Sequence, residues 1–275
     1  MKENYYSIPA DRLGVDAKLP LRLRGDSGEV FYDLALEMID EITRSSAEGR
    51  RTVMILPVGP VGQYPIFVRL VNERRVDLSG CVFINMDEYL TDDGDYIDPA
   101  SPLSFRGFMQ RNVYSRIDPA LLMPEDMRVF PDPRDPGAMD RLIRDLGGVD
   151  LAVGGIGING HLAFNEPVDG MPVDQFAQLP TRVLSISRET RVANAIGDLG
   201  GAISAMPRLA VTIGMARILE ARRVRLGVFR DWHRAVVRRA AYGDVTASFP
   251  VTLLQDHPDA CVYVNRIAAA PAIAG

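Results

Sequence analysis

The stretch Leu151-Ala-Val-Gly-Gly-Ile-Gly-Ile-Asn-Gly-His161-Leu-Ala-Phe-Asn-Glu-Pro167 decides the fold. An apolar run from Val149 to Val153 has the length of a buried strand. Glycines from Gly154 to Gly160 break it, and a histidine and then Asn165-Glu166-Pro167 follow. Strand, glycine turn and polar cluster in that order mark the carboxyl end of a parallel strand, where open α/β sheets hold their ligands. A second stretch answers to it: Phe83-Ile-Asn85-Met-Asp87-Glu88-Tyr89 is another apolar strand closing on carboxylates. We expect the two strand ends to face one site.

Working outward, apolar residues recur at helical spacing from Glu29 to Ala47, and Thr52 to Leu56 reads as a strand. A glycine turn, Pro57 to Gly62, leads into a helix over Tyr64 to Glu73, and Val82 to Asn85 is the next strand. Further helices are predicted over Leu103–Arg116, Gly137–Leu146, Arg188–Ile196 and Trp232–Tyr242. Further strands are predicted over Arg128–Phe130, Arg182–Ile186, Arg208–Ile213, Val224–Phe229 and Cys261–Val264, while residues 1–28 carry little pattern and should drape over the domain. Strands alternating with helices imply a mostly parallel sheet covered on both faces, a three-layer αβα, Rossmann-like fold. No repeat or linker interrupts the pattern, so residues 1–275 read as one domain.

A net charge of −5 offers no electrostatic footprint for nucleic acid. The basic run Arg222-Arg223-Val-Arg225 and the pair Arg238-Arg239 are expected on solvated edges. The two cysteines, Cys81 and Cys261, sit in apolar strand-like runs and read as buried thiols in a reducing compartment. No apolar run approaches the ~20 residues of a membrane helix, and the N-terminus lacks a secretory apolar segment. The expected setting is cytoplasmic, with no membrane partner.

Gly155-Ile-Gly157-Ile-Asn-Gly160 formally fits the dinucleotide fingerprint. That motif must open a helix and reach an acidic residue about 20 positions on; here Pro167 and an irregular segment intervene. His161, close to Glu166, is either a hydrogen-bonded loop residue or a proton-transfer group, and spacing alone leaves both open. A metal site would need a second histidine or a cysteine nearby, and none is visible. Asp87-Glu88 could cap the following helix. Paired with His161 at a neighbouring strand end, a carboxylate becomes a candidate general base, as aldose–ketose isomerisation requires.

These residues resemble a family. Asn85-Met-Asp-Glu-Tyr89 and Gly154 to Pro167 are similar to the glucosamine-6-phosphate deaminases, as are Ser104–Asn112, Glu189–Asn194 and Pro207–Gly214. The likeness is collinear from about residue 30 to residue 265. Related sugar-phosphate lactonases share the glycine–His turn without the Phe-Asn-Glu-Pro or Asn-Met-Asp-Glu-Tyr elements.

The resemblance implies conversion of an amino-sugar phosphate (glucosamine 6-phosphate) to a ketose phosphate plus ammonia, with no metal or redox cofactor. His161 would open the sugar ring, Glu166 and Asn159 would hold its imidazole, and Asp87 would move the proton from C2 to C1. Asn159 stands where the family often has Asp. Substrate contacts would come from Gly59, Gly62, Glu88, Gly155, Gly157, Gly160 and the phosphate-binding Arg191. Two departures concern the phosphate. Val58-Gly-Pro-Val-Gly-Gln63 replaces a turn of the Gly-Gly-Thr-Pro type, so a hydroxyl is missing and Pro60 has no N–H. The family's phosphate-binding lysine is replaced within Asp231-Trp-His233-Arg234, leaving His233 or Arg234 to stand in. Two lost charge-assisted bonds at ~1.5–3 kcal/mol each cost on the order of a hundredfold in affinity or more. The same chemistry on another sugar derivative, a lactonase and a sugar-phosphate sensor are the alternatives. The family includes monomers and larger assemblies, which leaves a homo-oligomer open.

Overall fold

Thr52-Val-Met-Ile-Leu56 and Cys81-Val-Phe-Ile-Asn85 are buried at every position, as strands covered on both faces must be. In the computed structural model, which describes residues 5–273, they are adjacent interior strands of the main sheet. The chain runs β1 (Leu21–Arg24), α1 (Ser27–Ala47), β2 (Thr52–Leu56), α2 (Gln63–Arg74), β3 (Cys81–Asn85), β4 (Asp87–Leu90) and α3 (Phe105–Asn112). It continues through β5 (Arg128–Val129), α4 (Gly137–Asp145), β6 (Leu151–Gly154), α5 (Val173–Ala177), β7 (Arg182–Ser185) and α6 (Arg188–Asp198). The last elements are β8 (Leu209–Thr212), α7 (Met215–Leu219), β9 (Arg223–Val228), α8 (His233–Tyr242), β10 (Ala260–Asn265) and α9 (Arg266–Ala269).

The main sheet has seven strands in the order β1-β10-β9-β6-β2-β3-β5, and every neighbouring pair is parallel. Alternate residues feed two apolar layers. Val53 and Ile55 pack on one side with Val82, Leu226 and Val237. Met54 and Leu56 pack on the other with Leu34, Met38 and Phe67. Asp26 starts α1 by accepting the Glu29 N–H at 2.9 Å, a cap worth ~1 kcal/mol. Val30, Leu34, Met38 and Ile42 then recur every fourth residue and are buried.

The chain passes from β2 outward to β3 and β5, then returns to β6 on the opposite side of β2. At such a reversal the flanking loops part and leave a crevice beyond the strand ends. Leu56 pairs with Asn85 and Gly154 with Leu226, so the carboxyl ends of β2, β3, β6 and β9 finish together. The site lies there.

Several expectations are corrected. The strands predicted over 182–186 and 208–213 are not in the main sheet; with β4 they form a three-stranded antiparallel sheet, order β4-β8-β7. β7 has only one covered face, and its residues alternate between half-buried and exposed. Asp87 is therefore the first residue of a strand, paired with Thr212. Residues 21–24, expected to drape, form a parallel edge strand against β10. The basic clusters are not simply solvated. Arg225 is buried, with Nε 3.0 Å from Glu37 and Nη2 2.7 Å from Asp259, and Arg223 pairs with Glu37 and Glu41. Arg238 is also buried and gives its donors to the carbonyls of Ile8, Arg234, Ala269 and Ala270. Both cysteines are free and buried. Among the described residues no helix is long and apolar enough to cross a membrane.

Candidate active site

Loops at the four strand ends, with α3 and α6, enclose a cavity of about 530 Å³, within the range of ~300–1,000 Å³ usual for small-molecule sites. Asp87 reaches it because only Met86 separates the end of β3 from the start of β4, where the chain leaves one sheet for the other. Burial, followed by the neighbouring Glu88 carboxylate, pushes the Asp87 pKa well above the usual carboxylate range. A carboxylate so placed is a stronger base than one in water.

Glu88 does something else. Its carboxylate accepts from Ser104 Oγ at 2.9 Å, Phe105 N at 3.0 Å and Arg106 N at 2.8 Å, and so holds the first turn of α3. It is absent from the cavity lining, one residue away from Asp87, where a substrate contact was expected of it. The cap fixes α3, and α3 brings Phe105 and Phe108 to the cavity wall.

His161 lines the cavity at the end of the glycine turn. Glu166 can only accept hydrogen bonds, so the Asn159 amide turns its Nδ2 toward Glu166 Oε2, at 2.7 Å. Asn159 Oδ1 then faces His161 Nδ1 at 2.8 Å and must accept its proton. That bond selects the Nδ1–H tautomer and leaves Nε2 with the lone pair. Thr190 Oγ1 supports the array, 3.2 Å from His161 Nδ1 and 3.1 Å from Glu166 Oε2. Ser187 N donates to Glu166 Oε1 at 3.2 Å, at the amino end of α6. The Glu166 oxygen itself stands 3.8 Å from His161 Nδ1, so Asn159 is the direct link. Burial lowers the His161 pKa, partly opposed by the Glu166 charge, and the imidazole is kept as a neutral base.

The glycines divide. A Cβ on Gly157 would stand 2.0 Å from the His161 ring, so this glycine exists to admit the imidazole. Gly155 lines the cavity beside the Gly59–Pro60 turn. Gly160, expected among the substrate contacts, is off the cavity lining, at φ +83° and with the Phe249 ring where a Cβ would stand. Gly59 and Gly62 both line the cavity, and Gly62 lies under the ring of Phe31.

The expected phosphate cations are elsewhere. Arg191 directs Nη2 to the carbonyls of Ile203 and Met206, at 3.4 Å each, and is not in the lining. Arg234 pairs with Asp231 at 2.5 Å and donates to Ile267 O, also outside the cavity. His233 is in the lining but carries no charge. Its Nδ1 accepts from Phe229 N and Arg230 N, Nε2 lies 3.1 Å from Ile156 O, and burial pushes its pKa down to about 3. Sequence reasoning missed Phe31, Asp198, Phe229, Arg230 and Trp232, which also line the cavity. Only Phe229-Arg230, at the carboxyl end of β9, carried a signal that could have been read.

Among curated proteins, the glucosamine-6-phosphate deaminase of Lachnoclostridium phytofermentans is 32% identical over 240 residues, covering 84% of this chain and 94% of its own. That of Clostridium perfringens is 31% identical, covering 86% and 92%. The chain belongs to the glucosamine-6-phosphate deaminase family. It is an enzyme of that type. A solved monomeric glucosamine-6-phosphate deaminase superposes with a TM-score of 0.77 at 26% identity, over 90% of this chain and 98% of the other. A 6-phosphogluconolactonase from Trypanosoma cruzi, at TM-score 0.63 and 16% identity over 90% and 95%, shares the fold. No family model matches the chain.

For a deaminase-family enzyme the arrangement divides cleanly. A buried carboxylate and an oriented neutral imidazole meet at one cavity. Of the residues expected to hold the phosphate, Gly59, Gly62 and His233 line the cavity, whereas Arg191 and Arg234 do not. Among the described residues no cluster of histidine, cysteine or carboxylate side chains could hold a metal ion.

Proposed function

We propose that the enzyme isomerises and deaminates a 2-amino-2-deoxyhexose of the glucosamine type, releasing ammonia and the matching ketose. The observation that carries this reading is the Asn159-oriented imidazole and the buried Asp87 on one cavity wall. His161 Nε2 takes the proton of the anomeric hydroxyl and returns it to the ring oxygen, opening the ring to the aldehyde. Asp87 then removes the C2 proton; its electrons form the C1=C2 bond while O1 takes the proton that the C2 ammonium gives up. Return of the proton from Asp87 to C1 leaves an iminium at C2. Water adds there, the amine departs as ammonia, and the C2 ketone remains.

A raised pKa suits Asp87 to this exchange, because a base that must give its proton back works best near the operating pH. A lactonase would need water activated by His161 and no base at C2. A pure sensor would have no use for a proton-shuttling pair. Retention of both groups at the cavity supports the isomerase reading over either alternative.

The test is ammonia release from glucosamine and from glucosamine 6-phosphate, beside an Asp87→Asn variant. Release from either sugar, reduced at least ~100-fold in the variant, is expected for loss of a general base. Wild-type protein that releases none from either, or a variant that keeps its rate, would sink the assignment. Deuterium uptake at C1 of the ketose in D2O checks the C2-to-C1 transfer separately.

A further inference from the structure

Beyond Asp87 and His161 the cavity runs to a far wall that includes Phe31 of α1 and Phe229 and Trp232 of the β9–α8 junction. Phe31 ties that wall to the opening of α2. Its ring atoms lie 2.2–2.6 Å from where a Gly62 Cβ would stand, and it meets Phe229 edge-on at 4.8 Å. Val61 and Gly62 therefore border the same end of the cavity as Phe229, and among the described residues their N–H groups have no partner. Such groups before the first turn of a helix suit an anion, but a helix end is equivalent to only about half a charge. A phosphate carries about −1.5 to −2 at neutral pH, so a full cation is needed beside them.

The lining holds one. His161 and His233 are kept neutral by burial, and Arg191 and Arg234 face elsewhere. Arg230 is the remaining cationic side chain in the lining. It is exposed and follows Phe229 just beyond the carboxyl end of β9. Its Cζ lies 5.9 Å from the centroid of the Phe229 ring, and its Nη1 is 2.7 Å from where a Gly197 Cβ would stand. A ring on one side and a glycine of α6 on the other place the guanidinium. Among the described residues its side chain makes no hydrogen bond and no ion pair. Asp198 feels its charge, which opposes the rise in pKa that burial causes there, but the two are not at ion-pair distance. A planar fork of five donors left without partners in a cavity wall matches the bidentate geometry of a phosphate.

We infer that Arg230 is the substrate-binding cation for the anionic end of the amino sugar, in place of the lysine the chain lacks. It stands one residue before Asp231–Arg234, where that cation was expected, and reaches the cavity from the strand end. The inference rests on the deaminase reading for the identity of the sugar. Its test measures binding without turnover. 2-Amino-2-deoxyglucitol 6-phosphate and 2-amino-2-deoxyglucitol, open-chain analogues without a C1 carbonyl, are titrated calorimetrically into wild type, Arg230→Met, Arg230→Lys and Arg234→Met. Wild type should prefer the 6-phosphate. Arg230→Met should lower that preference at least ~tenfold, the size of one lost charge-assisted bond. Arg230→Lys should recover part of it, because an ammonium keeps the charge without the fork, and Arg234→Met should keep the wild-type preference. The preference is a ratio of two affinities, so a merely structural disturbance weakens both analogues and leaves it unchanged. A wild type that does not prefer the 6-phosphate, a preference that survives Arg230→Met, or one lost in Arg234→Met instead overturns the inference. Preference lost in Arg230→Met, with no ammonia from any amino sugar, would sink the deaminase reading and leave Arg230 in its role. Ammonia release from glucosamine 6-phosphate with an unchanged KM in Arg230→Met would do the reverse.

Discussion

Replacing Gly157 by alanine tests the His161 assignment without touching a reacting group. Gly157 is not at positive φ, so the backbone accepts a Cβ without strain. The added atom, however, would stand 2.0 Å from His161 Cε1 and 2.2 Å from both ring nitrogens, where ordinary contact begins at 3.4 Å. Relief requires the ring to move by about 1.4 Å, the difference between those two distances. The ring cannot move that far and keep Nδ1 at 2.8 Å from Asn159 Oδ1 and 3.2 Å from Thr190 Oγ1. Losing that orientation costs ~1 kcal/mol of hydrogen bonding, and a misplacement of ~1 Å in a catalytic group costs ~100-fold in rate. Gly157→Ala should therefore lower kcat for ammonia release ~100-fold, while urea unfolding shifts by no more than ~2 kcal/mol. Gly155→Ala is the graded control. Its Cβ meets Gly59 O and Pro60 Cδ at 3.1 Å and leaves the imidazole alone, so it should cost far less activity. If Gly157→Ala keeps kcat within a few-fold of wild type, His161 is not the oriented base described here.

Asn159→Asp puts a carboxylate against His161 Nδ1 and favours the imidazolium, which raises a pKa now held low by burial. The histidine titration followed by NMR and the acid limb of kcat should both move to higher pH, and an unmoved titration counts against the Asn159 link. Glu37 is the clearest acid-sensitive support of the fold. Burial would raise its pKa, but the Tyr263 hydroxyl, Arg225 and Arg223 outweigh it and hold it below the ordinary 4.5. A folded pKa below the unfolded one means stability that is present above about pH 4.5 and lost as pH falls through the folded value. Urea unfolding at neutral and acid pH should show wild type losing more stability on acidification than Glu37→Gln, and parallel losses would refute this. Arg238→Met leaves the carbonyls of Ile8, Ala269 and Ala270 without their shared donor. It should cost about 3 kcal/mol or more and speed proteolysis near both termini, whereas an unchanged urea midpoint would contradict the structural role.

What could be read from the sequence depended on how local its cause was. Val149–Val153 and Val82–Asn85 announced themselves because burial on both faces leaves an apolar run, and glycines mark where the run must end. The small antiparallel sheet escaped because β7 and β8 read as strands but the strand that β8 pairs with on its other side is β4, far earlier in the chain, and pairing across that span leaves no local mark. Its absence from the reading also hid why Asp87 sits in the cavity, which is the passage of the chain between two sheets across Met86. Around His161 the partner at Glu166 was visible as a spacing of five residues. The resemblance put Asn159 beside the imidazole, but that its amide would bridge His161 and Glu166 was not legible, since it follows from an amide choosing its orientation in three dimensions.

The two ends of the cavity differ for the same reason. Groups that meet the reacting carbons lie within a few residues of a strand end, because a strand fixes its last side chains and lets the following turn aim the next ones. The far wall is drawn from α1, from the β9–α8 junction and from α6, elements that share no motif. Losses there could be read as missing hydroxyls and a missing lysine. Their replacement could not, because Phe31 meets Phe229 only after nearly 200 residues of chain have folded between them. A family likeness carried by motifs at strand ends therefore speaks for the reaction. It is silent on the distal group of the substrate, and that group is decided by residues the motifs do not contain.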